Sequence, residues 1–379
     1  MEQKIDTTNP EAYEFFLKAK HKYAKRKNTD DTKIVRGLLR KAIELDNNLL
    51  DAKIFLGFTY YENGDYEKAM DIYTSALKQA EELGDKSGMS FAISRIGSLH
   101  SNRGDHNKGL DYYSRSLAIE EERGNKAGIS LNLNNMGHIY LFKGENDIAF
   151  DHFNRVYTIK HKIGDKGGMA ISLQNIGIVH SKRGDYDKAL DYYSRSITIW
   201  KELDDKHSIA HVETCVSWTC IGKGNYSKSL ESSKKALTIV EDIDYKTGMV
   251  LSNLCVGIAY WYKRDYEKSL EFLDKSLDIQ KEVGYTLMEL RTKIYYGLAC
   301  KHLGKTYDTN DIYNIIKRTQ DIDIEINIKL FELLADRSFL EAGYKQVQAL
   351  ASTMDDDLKS KFLSYPNPKA IVESWEKVK

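Results

Sequence analysis

A fixed period of forty residues constrains this chain more than any other feature. The string GDYEKAM begins at Gly64, and at steps of forty come GDHNKGL (Gly104), GENDIAF (Gly144), GDYDKAL (Gly184), GNYSKSL (Gly224), RDYEKSL (Arg264) and a degraded GKTYDTN (Gly304). Halfway between lie GDKSGM (Gly84), GNKAGI (Gly124), GDKGGM (Gly164), DDKHSI (Asp204), DYKTGM (Asp244) and GYTLME (Gly284). Each unit therefore carries two turn signals, with an amphipathic segment between each pair. Such segments are long enough for helices of about four turns. Asp at the start of the second segment can cap its free N–H groups.

Proline usage fixes the class. Only Pro10, Pro366 and Pro368 occur, and helix interiors exclude proline by sterics and by its missing N–H. The expected fold is all-α, a helix–turn–helix hairpin repeated side by side as a solenoid. Small residues recur where the two helices of a hairpin would cross: Gly57, Gly97, Gly137, Gly177, Ser217, Gly257 and Gly297 on the first, Ala69, Gly109, Ala149, Ala189, Ser229 and Ser269 on the second. A mid-helix glycine costs roughly 1 kcal/mol against alanine, so its repetition implies a gain from close packing. Tyr73, Tyr113, Phe153 and Tyr193 are the larger packing residues nearby.

The charge balance narrows function. Lys and Arg together number 56, as do Asp and Glu, which argues against a nucleic-acid partner bound through its phosphates. No stretch approaches the ~20 apolar residues of a membrane span, and MEQKIDTTNP has neither a basic nor an apolar leader region. The expectation is a cytoplasmic protein with no membrane partner. Cys215, Cys220, Cys255 and Cys300 contain no CxxC pair and read as buried packing thiols. His207 and His211 share a helical face, yet no ligand set is completed around them. The basic run His21–Lys27 and the column Arg103, Lys143, Arg183, Lys223 and Lys263 read as solvated helix ends. No phosphate loop, HExxH or GxSxG occurs. No metal, cofactor or catalytic residue is expected.

The run IGIVHSKRGDYDKALDYYSRSI from Ile176 resembles the tetratricopeptide repeat, in the forty-residue form of kinesin light chain, Partner-of-Inscuteable and Rap-type regulators. The resemblance spans residues 50–305 and implies a right-handed α-solenoid that serves as a peptide- and protein-binding scaffold. Residues 1–49 look like one more, divergent hairpin, with its turn lengthened around Asn28–Thr32. That opening is similar to repeat regions of bacterial signalling proteins such as class III nucleotide cyclases, so the chain is either a stand-alone relative or part of something larger. Residues 306–379 read as a helical cap: Asp308–Arg318, Ile322–Ala335, Ser338–Thr353, Asp355–Leu363 and, after a break at Pro366–Pro368, Lys369–Val378.

The resemblance further implies that the first helices line a concave groove. One groove position reads Arg95, Asn135 and Asn175, then Cys215 and Cys255. Asparagine offers two donors and an acceptor, and matching asparagines hold peptide backbones in resembling families. Asn134, His138 and Gln174 extend the polar strip, with Phe91 and Leu131 one turn earlier. Farther on it turns apolar, through Trp218, Leu254, Ile258, Trp261 and Tyr262, which as exposed groups would anchor a partner. The competing interpretation makes the asparagines helix-to-helix bonds and the tryptophans core. The expectation is a non-enzymatic scaffold binding a peptide or helix of a partner in this groove, in bacterial signalling. The alternative is a regulatory or sensor module of a cyclase, kinase or phosphatase-type regulator. Oligomeric state is left open.

Overall fold

A computed structural model describes residues 9–25, 29–319 and 322–378. Among the described residues there are helices and no strands. The first hairpin is α1 (Pro10–Ala24) and α2 (Thr29–Leu45). Six more follow: α3 (Leu50–Glu62) with α4 (Tyr66–Leu83), α5 (Lys86–Asn102) with α6 (His106–Glu122), α7 (Lys126–Phe142) with α8 (Asn146–Lys162), α9 (Lys166–Lys182) with α10 (Tyr186–Glu202), α11 (Lys206–Lys223) with α12 (Tyr226–Asp242), and α13 (Lys246–Tyr262) with α14 (Tyr266–Val283). Single helices complete the chain: α15 (Glu289–His302), α16 (Thr309–Ile316), α17 (Ile324–Leu334), α18 (Arg337–Ala351), α19 (Asp356–Ser364) and α20 (Pro366–Val378).

The chain forms two compact units, residues 1–159 and 160–379. Each is an all-α repeat solenoid. Successive first helices pack directly on one another, α3 on α5 and α5 on α7 in one unit, α9 on α11, α11 on α13 and α13 on α15 in the other. Each unit thus presents a continuous first-helix wall.

Local chemistry explains the period. The glycines that open the turns, Gly64, Gly104, Gly144, Gly184 and Gly224 among them, have φ between 75° and 83°, a left-handed conformation that is free only for glycine. Asp204, Asp244 and Arg264 occupy the same conformation without that freedom, at φ 53°, 50° and 64°. Asp65, Asp105 and Asp265 cap second helices through the N–H of Lys68, Lys108 and Lys268. Capping also extends to first helices, where Asp85, Asp165 and Asp205 accept from Ser87, Gly168 and Ser208.

The glycine column is a set of sockets for rings. A Cβ on Gly57 would lie 2.6 Å from Tyr73, on Gly137 2.7 Å from Phe153, and on Gly177 2.6 Å from Tyr193. Each of these three glycines thus receives the side chain sixteen residues ahead. In the seventh hairpin Leu273 fills the socket at Gly257, and at Ser217 in the sixth a hydroxyl pair with Ser229, 2.9 Å apart, replaces it.

Two expectations change at the ends. The first turn is shorter than the lengthened one expected at Asn28–Thr32, since α2 is already helical at Thr29; Asn28 lies outside the described residues. Nor do Pro366 and Pro368 precede the last helix. They form its first turn, where the proline N–H would have no intrahelical acceptor and the fixed φ is already helical.

The first-helix wall as candidate functional site

The wall of residues 160–379 is occupied by the chain itself. Leu254 and Ile258 are fully buried, in one core with Leu290, Ile294, Ile326 and Leu330. Trp218, Trp261 and Tyr262 pack half-buried against that core. The covering element is α17. Its Lys329 ammonium lies 4.4 Å from the Trp261 ring and 5.2 Å from that of Tyr262. At its start, Asp323 and Glu325 grip Arg291, the latter at 2.6 Å, and the Arg291 guanidinium lies 4.8 Å from the Trp218 ring. Burial alone would lower the Arg291 pKa, but the two carboxylates outweigh it and raise it. Tyr295 donates to Glu325 at 2.5 Å, and its hydroxyl oxygen lies 3.1 Å from that of Tyr262.

The last helices extend this cover. Tyr262 donates to Asn367 at 3.2 Å and stacks on Tyr226 at 4.3 Å. Tyr365 meets Tyr186 at 4.6 Å, Lys361 pairs with Asp187, and Phe362 and Pro366 rest on the bare Cα atoms of Gly184 and Gly224. The expected exposed aromatic stretch is therefore a docking bed for α17 and α20. The polar strip of this unit is also enclosed. Gln174 is 9% exposed and bonded to His211 Nδ1 at 2.8 Å, and Asn175 is 4% exposed. His207 instead packs on Tyr245, with ring centroids 4.4 Å apart.

The wall of residues 1–159 is different. Phe91 and Leu131 are 41% and 38% exposed, His138 is exposed with its ring edge-on to Phe153, and Arg95, Asn134 and Asn135 are half-buried. Arg95 is held between two rings, its guanidinium carbon 5.1 Å from the centroids of both Phe58 and Phe91. Phe58 continues into an aromatic row: Phe55 stacks on it at 6.0 Å, Tyr61 at 6.3 Å, and Tyr23 closes on both phenylalanines. Among the described residues, neither Arg95 nor Asn135 makes a hydrogen bond or ion pair.

Phe55, Phe58 and Tyr61 are additions to the sequence-derived site. Phe55 shares the repeat position of Arg95 and Asn135, and Phe58 that of His138 and Trp218. Reading those columns one repeat earlier would have found them.

The four cysteines are unpaired. Burial pushes the Cys215 and Cys220 thiols up to about 12 and about 11, the opposite of a reactive thiolate. Among the described residues no cluster of three or more His, Cys, Asp or Glu could hold a metal, and no helix is long and apolar enough to cross a membrane.

The fold and this wall define an α-solenoid of the protein-interaction class. Tetratricopeptide-repeat models match residues 54–87, 88–162 and 165–242, so this run consists of tetratricopeptide repeats. A model of anaphase-promoting complex subunit 5 matches residues 254–307. No curated protein sequence matches the chain. Among solved structures, a Rap protein complexed with competence and sporulation factor is 12% identical, with TM-score 0.58 over 97% of this chain and all of its own. A signal transduction ATPase with a tetratricopeptide repeat sensor, from Pyrococcus horikoshii, is 16% identical, with TM-score 0.59 over 94% of this chain and 56% of its own. A tetratricopeptide repeat protein from Parabacteroides merdae is 15% identical, with TM-score 0.53 over 77% and 99%.

Proposed function

We propose that this chain is a non-enzymatic scaffold that holds an extended peptide segment of a partner protein on the first-helix wall of residues 1–159, in a bacterial signalling pathway. The observation that carries the reading is Asn135. Its half-buried amide has no hydrogen-bond partner among the described residues and sits beside the exposed Leu131. An unpaired amide offers two donors and an acceptor, which suits a peptide backbone whatever its side chains. Phe91 and Leu131 add apolar area that a partner would remove from water. The signalling role follows the Rap and sensor-ATPase structures of the same fold. The same reading makes the protein cytoplasmic, with no cofactor, nucleic acid or membrane as partner. Asn134, His138 and Arg95 would flank the bound chain, whereas Gln174, Asn175 and the Trp218–Tyr262 stretch would act within the fold.

The test is affinity capture from the source's lysate by wild type, Asn135→Ala, Leu131→Asp and a control, Leu83→Asp, exposed at the end of α4. A protein retained by wild type and the control but lost by both wall variants is expected. Equal retention by all four would overturn the reading.

A further inference from the structure

We infer that Arg95 reads an acidic side chain, Asp or Glu, within the peptide bound on the wall of residues 1–159; this rests on the peptide-binding reading above. A half-buried guanidinium normally has a carboxylate close by, because partial loss of hydration must be offset. Arg95 makes no ion pair among the described residues. Neither α5 nor α7 contains an Asp or Glu. The adjacent α3 carries Asp51 and Glu62, but Glu62 accepts from the Tyr23 hydroxyl at 3.3 Å. No carboxylate of the wall is therefore bound to Arg95.

The two flanking rings supply the other half of the argument. The Arg95 guanidinium carbon lies over both rings, 5.1 Å from the centroids of Phe58 and Phe91, and these contacts restrain the group without supplying a carboxylate to its N–H donors. A guanidinium pre-oriented this way loses little side-chain entropy on binding and matches a carboxylate with two parallel hydrogen bonds. Nearby, the buried Tyr73 hydroxyl also has no partner, and Arg95 is among the charges acting on it.

An internal acid fits better than a chain end because the wall continues on both sides. Phe55 and Phe58 lie in the preceding hairpin and Leu131, Asn135 and His138 in the following one. Packed helices lie about 8–10 Å apart, and an extended peptide rises about 3.3 Å per residue. The residue held by Arg95 and the backbone group held by Asn135 are thus about three residues apart.

The experiment presents the full chain with pools of randomised, C-terminally amidated nonapeptides whose central residue is fixed as Glu, Asp, Gln or Asn. A further pool has central Gln and a free C-terminal carboxylate. Retained peptide is quantified by mass spectrometry for wild type, Arg95→Gln, Arg95→Lys and Asn135→Ala, with circular dichroism confirming that each variant is folded. Wild type is expected to retain the Glu and Asp pools about tenfold over Gln and Asn, the scale of one good charge-assisted contact. Arg95→Gln should abolish that preference, Arg95→Lys should keep part of it, and Asn135→Ala should weaken all pools alike. Equal retention of acid and amide pools by wild type would overturn the inference while leaving peptide binding intact, as would selective retention of the free-carboxylate pool. Retention of no pool by wild type would overturn the peptide-binding reading and the inference with it.

Discussion

The ring sockets make one chemical change act in opposite directions along the chain. In Gly177→Ala the new Cβ would lie 2.6 Å from Cε1 and 2.8 Å from Cδ1 of Tyr193, and 3.2 Å from the carbonyl oxygen of Ala189. Tyr193 is itself fully enclosed, so neither the ring nor the backbone can yield cheaply. Overpacking of this kind costs about 1–3 kcal/mol, and contacts this short on rigid atoms belong at the upper end. Alanine regains about 1 kcal/mol of helix propensity, which leaves a net loss of about 2 kcal/mol. Gly37→Ala, on the exposed side of α2 with nothing within 4 Å of its Cβ, keeps only the gain. Gly97→Ala falls between them, since its nearest atom is at 3.1 Å. Equilibrium denaturation in urea and thermal melting should rank the variants Gly37→Ala, wild type, Gly97→Ala, Gly177→Ala from most to least stable. For a unit of this size, 2 kcal/mol is a drop of about 4–8 °C. A Gly177→Ala protein as stable as Gly37→Ala would refute the socket account.

Other outcomes follow from the same geometry. Phe362→Ala removes a buried ring resting on Gly184 and should cost about 3–5 kcal/mol, with amide exchange rising first in α19 and α20. Arg264→Gly relieves a left-handed backbone at φ 64° and should stabilise by roughly 1 kcal/mol, read from the denaturation midpoint. His180, stacked on Tyr192, has its pKa lowered by burial, with Arg183 and Lys188 adding to this and Asp185 opposing it. Because the unfolded chain protonates first, at about 6.5, stability should be complete above that pH and decline as the pH falls below it. His180→Gln should flatten that decline in melts between pH 7 and 5. Thiol reagents at pH 8 should label Cys220 only when unfolding exposes it, given its burial and raised pKa; rapid labelling of Cys220 in the native chain would contradict that burial.

What the sequence makes legible here is what the period encodes. Helix order, turn residues and crossing points repeat every forty residues, so each is read several times over. The wall positions are legible by the same route, since side chains in one column face one way. Whether a wall position is open is another matter. Asn135 and Asn175 occupy the same repeat position, yet one is half-buried with no partner and the other is enclosed. The difference lies in neighbours, which periodicity does not report. Likewise α17 reaches Trp261 directly, and Trp218 through Arg291, from outside the repeats. Its sequence, IEINIKLFELL, is apolar enough to demand a covered face, but it does not say which surface covers it. Pro366 illustrates the local version, because a proline that ends helices in general also starts them well.

The central claim is that the wall is open at Leu131 and closed by the chain's own C-terminal helices at Trp261. A photo-crosslinking amino acid placed at each position in turn, in cells of the source organism, measures this directly. Position 131 should capture a separate protein, and position 261 should yield crosslinks only within the same chain, those to residues 322–378 among them. Capture of a partner from position 261, with none from position 131, would contradict the account.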